Sequence, residues 1–175
     1  GAPTLDSSTR ILSFLPLSHI LERMAGHFLM LQSGAAIAYA ESPDTLKEDF
    51  LKVRPTAGSS VPLIYEKMYV AMRDQASASS VKLRIFNWAV KIAKQKAYST
   101  NLNPLLSLKH TIANRLVYSK VKSALGGNIQ FLISGGGKLS KDLCALYHGA
   151  GILVLEGYGL SETSPVITVN HPDAP

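Results

Sequence analysis

The sequence predicts an α/β fold in which helices flank a mainly parallel sheet. Short apolar runs alternate along the chain with amphipathic segments of helical period, which is typical of proteins built from strand–helix–strand units. Apolar residues make up 46% of the chain and charged residues 17%, as in folded rather than disordered proteins. The 175 residues suffice for one domain, or a large part of one, around a buried core.

The strands are expected where apolar runs of four to six residues meet turn signals. Pro16 ends the first run, Arg54-Pro55 precedes the third, and Gly126-Gly127 precedes the fourth. The third run is the weakest strand candidate, and we expect a loop after the fifth. In chain order the predicted strands are residues 11–15, 35–40, 56–61, 129–133 and 152–155.

The helices are expected between these runs, where apolar side chains recur every three or four residues. Ser18 is placed to cap the first helix, and Glu22 in its first turns suits the positive end of the helix dipole. Ser140 is placed to cap the last helix, while Gly34 and Gly126 are stop signals. In chain order the predicted helices are residues 19–32, 43–53, 62 onward, 81–98, 108–125 and 141–148, with a turn at 101–104.

The positive charge of the chain is concentrated in one block. The formal net charge is +6, and no acidic residue lies between Asp74 and Asp142. Such a block suits an anionic lipid surface, a polyphosphate ligand or nucleic acid, although a solvated face explains it equally well. Basic and aromatic residues do not interleave as they do in nucleic-acid-binding modules, so we expect no nucleic-acid partner.

The predicted helix at 81–98 supports an alternative function. It combines an apolar stripe with lysines that lie mostly off the stripe, which is typical of a helix in a membrane interface. A non-catalytic membrane- or lipid-binding module is therefore the alternative to an enzyme, and peripheral contact with an anionic membrane is compatible with both. The apolar stripe consists of Val81, Ile85, Trp88, Ala89 and Ile92.

Cysteine content and hydropathy bear on the compartment. Cys144 is the only cysteine, so an internal disulfide and a cysteine-based metal site are excluded. No stretch approaches the roughly 20 apolar residues of a membrane-spanning helix. The opening Gly1-Ala2-Pro3 lacks the features of a secretory leader. We expect a cytoplasmic protein, with peripheral contact at the inner face of the membrane as an option.

Three glycines follow the predicted strand at 129–133 almost directly. After Ser134, the glycines Gly135, Gly136 and Gly137 lead from that strand into the capped helix. In an open parallel sheet, ligands bind beyond the carboxyl ends of the strands, where glycines let a ligand approach the backbone amides. A tight turn without a ligand is the simpler interpretation, and the phosphate-loop spacing G-x-x-x-x-G-K-[ST] is absent.

A second polar segment follows the predicted strand at 152–155, at the same edge of the sheet. Tyr158 offers an aromatic plane that could stack on a base, and Ser161 or Thr163 offers a hydroxyl for a phosphate oxygen. Glu162 offers a carboxylate of the kind that holds Mg²⁺ together with phosphate. Each residue taken singly could be structural, but the combination predicts a nucleotide site.

Several segments resemble the adenylate-forming superfamily, in the family's order and over nearly the whole chain. The segment 157–163 resembles its Y-G-x-T-E signature, and 130–139 resembles its second nucleotide motif, S-G-G-A-P-L. The segment 15–23 resembles the L-P-L-x-H-x-x-E-R run of long-chain fatty acid ligases. The sequence V-R-P-T at 53–56, followed by 61–67, resembles the same subgroup. The chain is thus similar to AMP-forming acyl-CoA synthetases.

The resemblance implies an enzyme that activates a long-chain fatty acid with ATP to acyl-AMP and transfers the acyl group to CoA, with Mg²⁺ as cofactor. It implies that Tyr158 stacks on adenine, Ser161 binds the α-phosphate and Glu162 coordinates Mg²⁺. His19 would lie near the acyl-adenylate and the incoming thiol, or would only make a structural hydrogen bond at a helix start. The further cofactor-binding residues that it implies are Ser134, Gly135, Gly136, Gly137, Glu156, Gly157 and Gly159.

The resemblance also implies that residues 1–175 are part of the family's large N-terminal AMP-binding domain. The family's lysine-bearing phosphate loop, its ribose-binding aspartate and its C-terminal domain have no counterpart in the chain. We therefore expect no ligase activity from this chain alone, and self-association through exposed apolar surface. Ser161 in place of the usual threonine keeps the hydroxyl, and Gly137-Lys138 in place of Ala-Pro loosens the glycine loop.

Overall fold

Strands and helices alternate along the computed structural model, which describes residues 4–99 and 103–171. The strands are β1 (Arg10–Ser13), β2 (Ala36–Tyr39), β3 (Ala57–Ser60), β4 (Phe131–Ser134), β5 (Leu153–Gly159) and β6 (Val166–Val169). Across the described residues these six strands form one sheet in the order β2-β1-β3-β4-β5-β6. Strands β1 to β5 run parallel, and β6 pairs antiparallel with β5.

Helices connect the parallel strands, because a strand that runs in the same direction as the last one needs a crossover connection. The first helix is a π-helical stretch, Glu22–Phe28, continued by α1 (Leu29–Gln32). A second π-helical stretch, Asn114–Tyr118, joins two α-helices in the same way. The remaining helices are α2 (Leu46–Val53), α3 (Pro62–Ser77), α4 (Ser80–Tyr98), α5 (Pro104–Ala113), α6 (Ser119–Ala124) and α7 (Lys141–Gly149).

The predicted α/β class and the five predicted strands are confirmed, with shifted ends. Strand β3, the weakest prediction, is buried along its whole length and lies between β1 and β4. Its sequence Ala-Gly-Ser-Ser has little intrinsic strand preference, so pairing on both sides determines its conformation. Small side chains are needed there, since a Cβ at Gly58 would lie 3.1 Å from Leu132 Cδ2.

The main core lies on the sheet face that α2 to α7 cover. Leu12, Leu132 and Val154 project into it from β1, β4 and β5, and each is at most 5% exposed. Phe131 and Leu155 belong to a smaller cluster on the opposite face, because neighbouring positions of a strand alternate between faces. Burial of one such aliphatic or aromatic side chain contributes about 1.5–3 kcal/mol relative to exposure.

The first helix begins differently from the prediction. The Ser18 side chain makes no hydrogen bond within the described part of the chain, and the predicted cap is wrong. Nδ1 of His19 accepts a hydrogen bond from the Leu21 N–H at 3.2 Å instead. Glu22 does not face solvent at the helix start, since its side chain is 0% exposed. Contacts with the sheet determine its position, as described below.

Two other helix starts also differ. Helix α2 begins at Leu46, three residues after the predicted start at 43. Helix α5 begins at Pro104 rather than at 108, because Oδ1 of Asn103 accepts from the Leu105 N–H at 2.9 Å and caps the helix. The predicted turn at 101–104 lies partly outside the described residues, and the opening Gly1-Ala2-Pro3 lies wholly outside them.

The predicted loop after residue 155 is wrong. Strand β5 continues to Gly159, and Tyr158 and Gly159 pair with β6 across a register irregularity. Glycines in this segment resemble loop sequence, and all four residues of β6 are exposed. Hydrophobic periodicity therefore gives no signal for this hairpin, and the pairing itself defines it.

The apolar face of α4 is turned inward. The structure buries Phe86, Ala89, Ile92 and Ala93, whereas Val81 of the predicted stripe is 62% exposed. Helices α3, α5 and α7 pack around α4, so its apolar face is not available to a membrane. The alternative of a membrane-binding module built on this helix has no support. In the described part of the chain, no helix is long and apolar enough to cross a membrane.

Gly149→Ala tests the close packing of α4 on α7. Alanine normally favours a helix over glycine by about 1 kcal/mol, but a Cβ at Gly149 would overlap the Cα and Cβ of Ala93. We therefore expect a loss of about 1–3 kcal/mol in the free energy of unfolding, measured by urea denaturation. Gly137→Ala is the control, because a Cβ there meets Pro62 Cγ at 3.6 Å, an ordinary contact. A stabilised Gly149→Ala variant would contradict this packing.

Candidate functional site

Three strand ends meet at one edge of the sheet. Ser60 of β3 is in register with Ser134 of β4, and Ser134 is in register with Glu156 of β5. Because the three strands are parallel, the chain leaves all of them in the same direction. The predicted side-by-side arrangement of the two polar segments is confirmed. We call residues 135–139 the glycine loop and residues 157–163 the tyrosine segment.

The glycine loop is partly packed and partly open. Gly135 donates its N–H to the Ser60 carbonyl at 3.1 Å and is buried. A Cβ on Gly135 would lie 2.9 Å from Leu21 Cδ1, so the loop fits tightly against the helix that follows His19. Gly136 has a φ of +75°, a conformation that glycine adopts without strain. Gly136 and Gly137 are exposed and can present their backbone to a ligand.

The carboxylate of Glu156 fastens the far end of the glycine loop. Its Oε1 accepts a hydrogen bond from the Leu139 N–H at 2.8 Å. Leu139 is 1% exposed, so the loop is anchored by an apolar side chain and a charged acceptor together. A hydrogen bond to a charged group contributes about 1.5–3 kcal/mol. Glu156 thus positions the loop, an arrangement that the sequence alone did not indicate.

Tyr158 projects from the sheet edge into solvent. Residues 156 and 158 are two apart on β5, so their side chains share one face of the strand. That face is also the one on which Glu156 holds the glycine loop. The Tyr158 ring is 62% exposed, and a Cβ on Gly159 would overlap the Pro165 carbonyl. The ring is therefore not packed in the interior, and the register of Ser134 with Glu156 places the Tyr158 backbone next to the start of the glycine loop.

The tyrosine segment ends in a short 3₁₀ turn, Ser161–Thr163. The Thr163 hydroxyl accepts from the Leu160 N–H at 3.0 Å and lies 2.9 Å from the Leu160 carbonyl oxygen. Thr163 is thereby committed to holding the turn. Ser161 and Glu162 are exposed, and no hydrogen bond or salt bridge holds their side chains within the described residues. The sequence offered the hydroxyl of either Ser161 or Thr163 for a phosphate oxygen, and of these two only the Ser161 hydroxyl is not already engaged.

Two buried hydroxyls lie under the glycine loop. The Oγ atoms of Ser60 and Ser134 have no hydrogen-bond partner among the described residues, although the two side chains are 4% and 0% exposed. An unsatisfied buried polar group costs about 1–3 kcal/mol, so such groups are uncommon away from ligands or ordered water. Ser134 is among the site residues predicted from the sequence, whereas Ser60 is not. The only signal for Ser60 in the sequence is its place at the end of a predicted strand.

Comparison with known proteins identifies the family. Residues 2–175 match the family described as AMP-binding enzyme. The chain belongs to the AMP-binding enzyme family. It is 37% identical over 173 residues to the long-chain-fatty-acid–CoA ligase FadD15 of Mycobacterium bovis, covering 97% of this chain and 28% of that protein. It is 36% identical over 167 residues to the peroxisomal long chain acyl-CoA synthetase 6 of Arabidopsis thaliana, covering 93% and 22%.

Solved structures of adenylate-forming enzymes share the fold of this AMP-binding enzyme. The N-terminal domain of FACL13 from Mycobacterium tuberculosis has a TM-score of 0.59 at 15% identity, covering 98% of this chain and 32% of that one. The A domain of a carboxylic acid reductase from Segniliparus rugosus, solved with AMP and a co-purified carboxylic acid, has a TM-score of 0.63 at 23% identity, covering 91% and 22%. The predicted fold is confirmed. The chain spans 28% or less of the length of the two curated relatives above.

His19 is exposed at the same end of the sheet, after β1. Its Nδ1 accepts from the Leu21 N–H, so the ring proton lies on Nε2 while that bond is made. The sequence left open whether His19 makes a structural hydrogen bond at the helix start, and the structure contains this bond. It orients the ring and leaves the Nε2–H for another partner.

A buried carboxyl group ties the helix after His19 to the sheet. Oε1 and Oε2 of Glu22 accept hydrogen bonds from the hydroxyls of Ser13 on β1 and Ser59 on β3, each at 2.6 Å. A Cβ at Gly26 would lie 2.5 Å from Glu22 Oε1, so the carboxyl group folds back over a glycine. We call these four residues the Glu22 lock. It fixes the helix that presses Leu21 against the glycine loop.

The titratable groups behind the edge are structural. Burial raises the pKa of the Cys144 thiol, and the nearby Glu156 carboxylate adds to this effect. Burial lowers the pKa of His148, while a hydrogen bond to the Val154 backbone acts in the opposite direction. Burial also raises the pKa of Tyr65, whose hydroxyl donates to the Ile133 carbonyl at 2.9 Å. The thiol therefore favours its neutral form and is a poor nucleophile. His148 is engaged structurally, because its Nε2 lies 3.0 Å from backbone atoms of Val154.

Glu22→Ala and Glu22→Gln test the Glu22 lock. Alanine leaves both serine hydroxyls unpaired in a buried site, so we expect a loss of about 2–3 kcal/mol in the free energy of unfolding. Glutamine keeps the size of the side chain and can bond both hydroxyls after they rotate, so we expect a loss of about 1 kcal/mol or less. Urea denaturation measures both variants. Equal losses for the two would show that hydrogen bonding is not what Glu22 contributes.

Proposed function

We propose that this chain is part of the N-terminal AMP-binding domain of an AMP-forming long-chain fatty acid–CoA ligase. The observation that carries the proposal is the exposed Tyr158 ring beside the glycine loop, at the ligand-binding edge of a parallel sheet. Family membership supports the nucleotide. Several relatives at 35–37% identity are named long-chain fatty acid ligases, which supports the acid.

The proposed reaction has two steps. A carboxylate oxygen of the fatty acid attacks the α-phosphorus of ATP, the bond to pyrophosphate breaks, and acyl-AMP forms. The thiol sulfur of CoA then attacks the acyl carbonyl carbon and its proton passes to solvent, while AMP leaves with the electron pair of the broken C–O bond. Negative charge grows on phosphate oxygens in the first step, so hydrogen-bond donors and cations placed there lower the barrier.

The exposed residues of the site take the direct roles in this proposal. Tyr158 stacks on adenine, and the backbone of Gly136 and Gly137 lines the adenine and acyl pocket. The Ser161 hydroxyl donates to an α-phosphate oxygen. Glu162 would hold Mg²⁺, which supplies positive charge at the phosphates when bound. Its exposed carboxylate fits that role, since Mg²⁺ is usually held by one or two carboxylates together with substrate phosphates and water.

The remaining residues of the site position the backbone in this proposal, except for His19, which offers a hydrogen-bond donor. Ser134, Gly135 and Glu156 shape and fasten the glycine loop. Gly157 and Gly159 pair with β6 on either side of Tyr158, and Gly159 lets the Pro165 backbone approach closely. His19 offers its Nε2–H near the acyl-adenylate and the incoming CoA thiol. Because its Nδ1 is held by Leu21, the ring can donate a hydrogen bond without first reorienting.

Tyr158→Ala tests the proposed adenine contact. Stacking of a base on an aromatic ring contributes about 1–3 kcal/mol, so we expect AMP to bind about 5- to 150-fold more weakly to the variant. Isothermal titration calorimetry measures the dissociation constant. Tyr158→Phe should bind AMP nearly as the parent does, because it keeps the ring.

Tyr98→Ala is the matched control for this measurement. Tyr98 on α4 is as exposed as Tyr158, at 62%, and its removal should leave AMP affinity unchanged. If Tyr158→Ala binds AMP as tightly as the parent, or if Tyr98→Ala weakens binding equally, adenine does not stack on Tyr158.

Two further partners are part of the proposal. Exposed lysines of the acid-free block, such as Lys91 and Lys109, would allow peripheral contact with an anionic membrane at about 1 kcal/mol per lysine. Exposed apolar side chains such as Phe28 and Leu31, each 57% exposed, would allow self-association. The chain should sediment with phosphatidylserine vesicles, and high salt should abolish this sedimentation. Self-association should give a molecular mass, measured by light scattering, that rises with protein concentration. Equal sedimentation with neutral vesicles would contradict the electrostatic contact.

A further inference from the structure

A long apolar groove runs over the helical face of the molecule. One cavity of about 390 Å³ lies between α2, α3 and the end of α6. A second of about 320 Å³ lies between α3, α4 and the π-helical stretch that leads into α6. The two cavities share Met72, Gln75, Val121 and Ala124. The two cavities therefore adjoin at these four residues, which we call the waist, and we call the two cavities together the helix groove.

The helix groove is separate from the proposed nucleotide site. None of the residues of the glycine loop or the tyrosine segment lines either cavity. Each cavity is within the range of about 300–1,000 Å³ that small-molecule sites occupy. Together they offer a longer track than either half alone, which suits an extended ligand better than a compact one.

The floor of the helix groove is apolar and adaptable. Phe50 and Met68 line the larger half, and Ile85 and Phe86 line the smaller half. Met72 lies at the waist, where both halves meet. A methionine side chain is flexible and polarisable and can adjust to a chain passing over it. Such a floor accepts a flexible hydrocarbon and has few groups that would bond a polar ligand along its length.

The rim of the helix groove is cationic. Lys82 and Lys120 flank the smaller half, which has no acidic residue in its lining. Lys47 and Lys67 flank the larger half, where Asp44 offsets part of their charge. In the described part of the chain, the one salt bridge joins Lys94 to Asp142 and involves none of these lysines. An anionic group is therefore best accommodated between Lys82 and Lys120.

We propose that the helix groove binds a long-chain fatty acid as a second site for that ligand. The hydrocarbon lies on the apolar floor and crosses the Met72–Val121 waist, and the carboxylate lies between Lys82 and Lys120. Apolar floor and cationic rim together specify an anionic amphiphile. The choice of a fatty acid within that class rests on the proposed function. Such a site would hold a poorly soluble acid on the protein surface before it reaches the sheet edge.

A fluorescent fatty acid tests this inference on the whole chain. Titration with cis-parinaric acid should give saturable binding that palmitate displaces. The double variant Lys82→Glu/Lys120→Glu should weaken binding about tenfold or more, which corresponds to about 1.4 kcal/mol. Met72→Trp should weaken it similarly, because the larger ring fills the waist. Lys91→Glu/Lys109→Glu is the charge-matched control, since both lysines are exposed and neither lines the groove. Circular dichroism confirms that each variant is folded.

Several outcomes would overturn the inference. Unsaturable binding of parinaric acid, or parent-like affinity in the double variant, would each do so. Loss of parinaric acid binding in Tyr158→Ala or in the presence of AMP would place the acid at the sheet edge and would also overturn it. Equal affinity for the matched long-chain alcohol would overturn the role of the lysines. If parinaric acid binds as expected while Tyr158→Ala leaves AMP binding unchanged, the adenine contact of the proposed function fails and the helix groove stands.

Discussion

The parallel pairing of β3, β4 and β5 is the constraint on which this molecule depends. It aligns Ser60, Ser134 and Glu156 in one row, so that the backbone leaves three neighbouring strands at the same edge. Parallel strands cannot be joined by tight turns, and each connection therefore contains a helix that brings the chain back to the start of the next strand. The helices that result cover the sheet, and the segments that leave the carboxyl ends are free to carry polar and glycine residues.

Hydrogen-bonded carboxyl groups hold that edge in shape. Glu22 joins the helix after β1 to two strands at once, and Glu156 joins β5 to the end of the glycine loop. Gly135 fits against Leu21 between these two attachments. A buried or half-buried acceptor of this kind is stable only when its hydrogen bonds are made. Both groups therefore restrict the backbone near the proposed ligand more narrowly than apolar packing would.

The fold could be read from the sequence wherever a segment signals its state locally. Apolar runs bounded by proline or glycine located five strands, and Ser140 and Gly34 acted as the expected helix start and stop signals. Strand β6 was missed: its sequence Val-Ile-Thr-Val is rich in β-branched residues and favours a strand, but the glycines at 157 and 159 of its partner β5 resemble loop sequence. The predicted apolar stripe of α4 is largely confirmed, since Ala89 and Ile92 are buried and Ile85 and Trp88 pack against the core. Only Val81 departs from it, and periodicity did not tell that the stripe packs on other helices of the same chain and not on a membrane.

The amino-acid types alone predict the chemistry of the proposed site: an aromatic ring, a hydroxyl, a carboxylate and a glycine loop at strand ends. Tertiary structure decided which of these groups are available. It engaged Thr163 in its own turn and left Ser161 exposed, and it packed Gly135 away while exposing Gly136. It also formed the Glu22 lock between residues far apart in the chain. The physical reason is that composition and spacing record which groups are present, whereas burial and hydrogen-bond partners depend on contacts between distant segments.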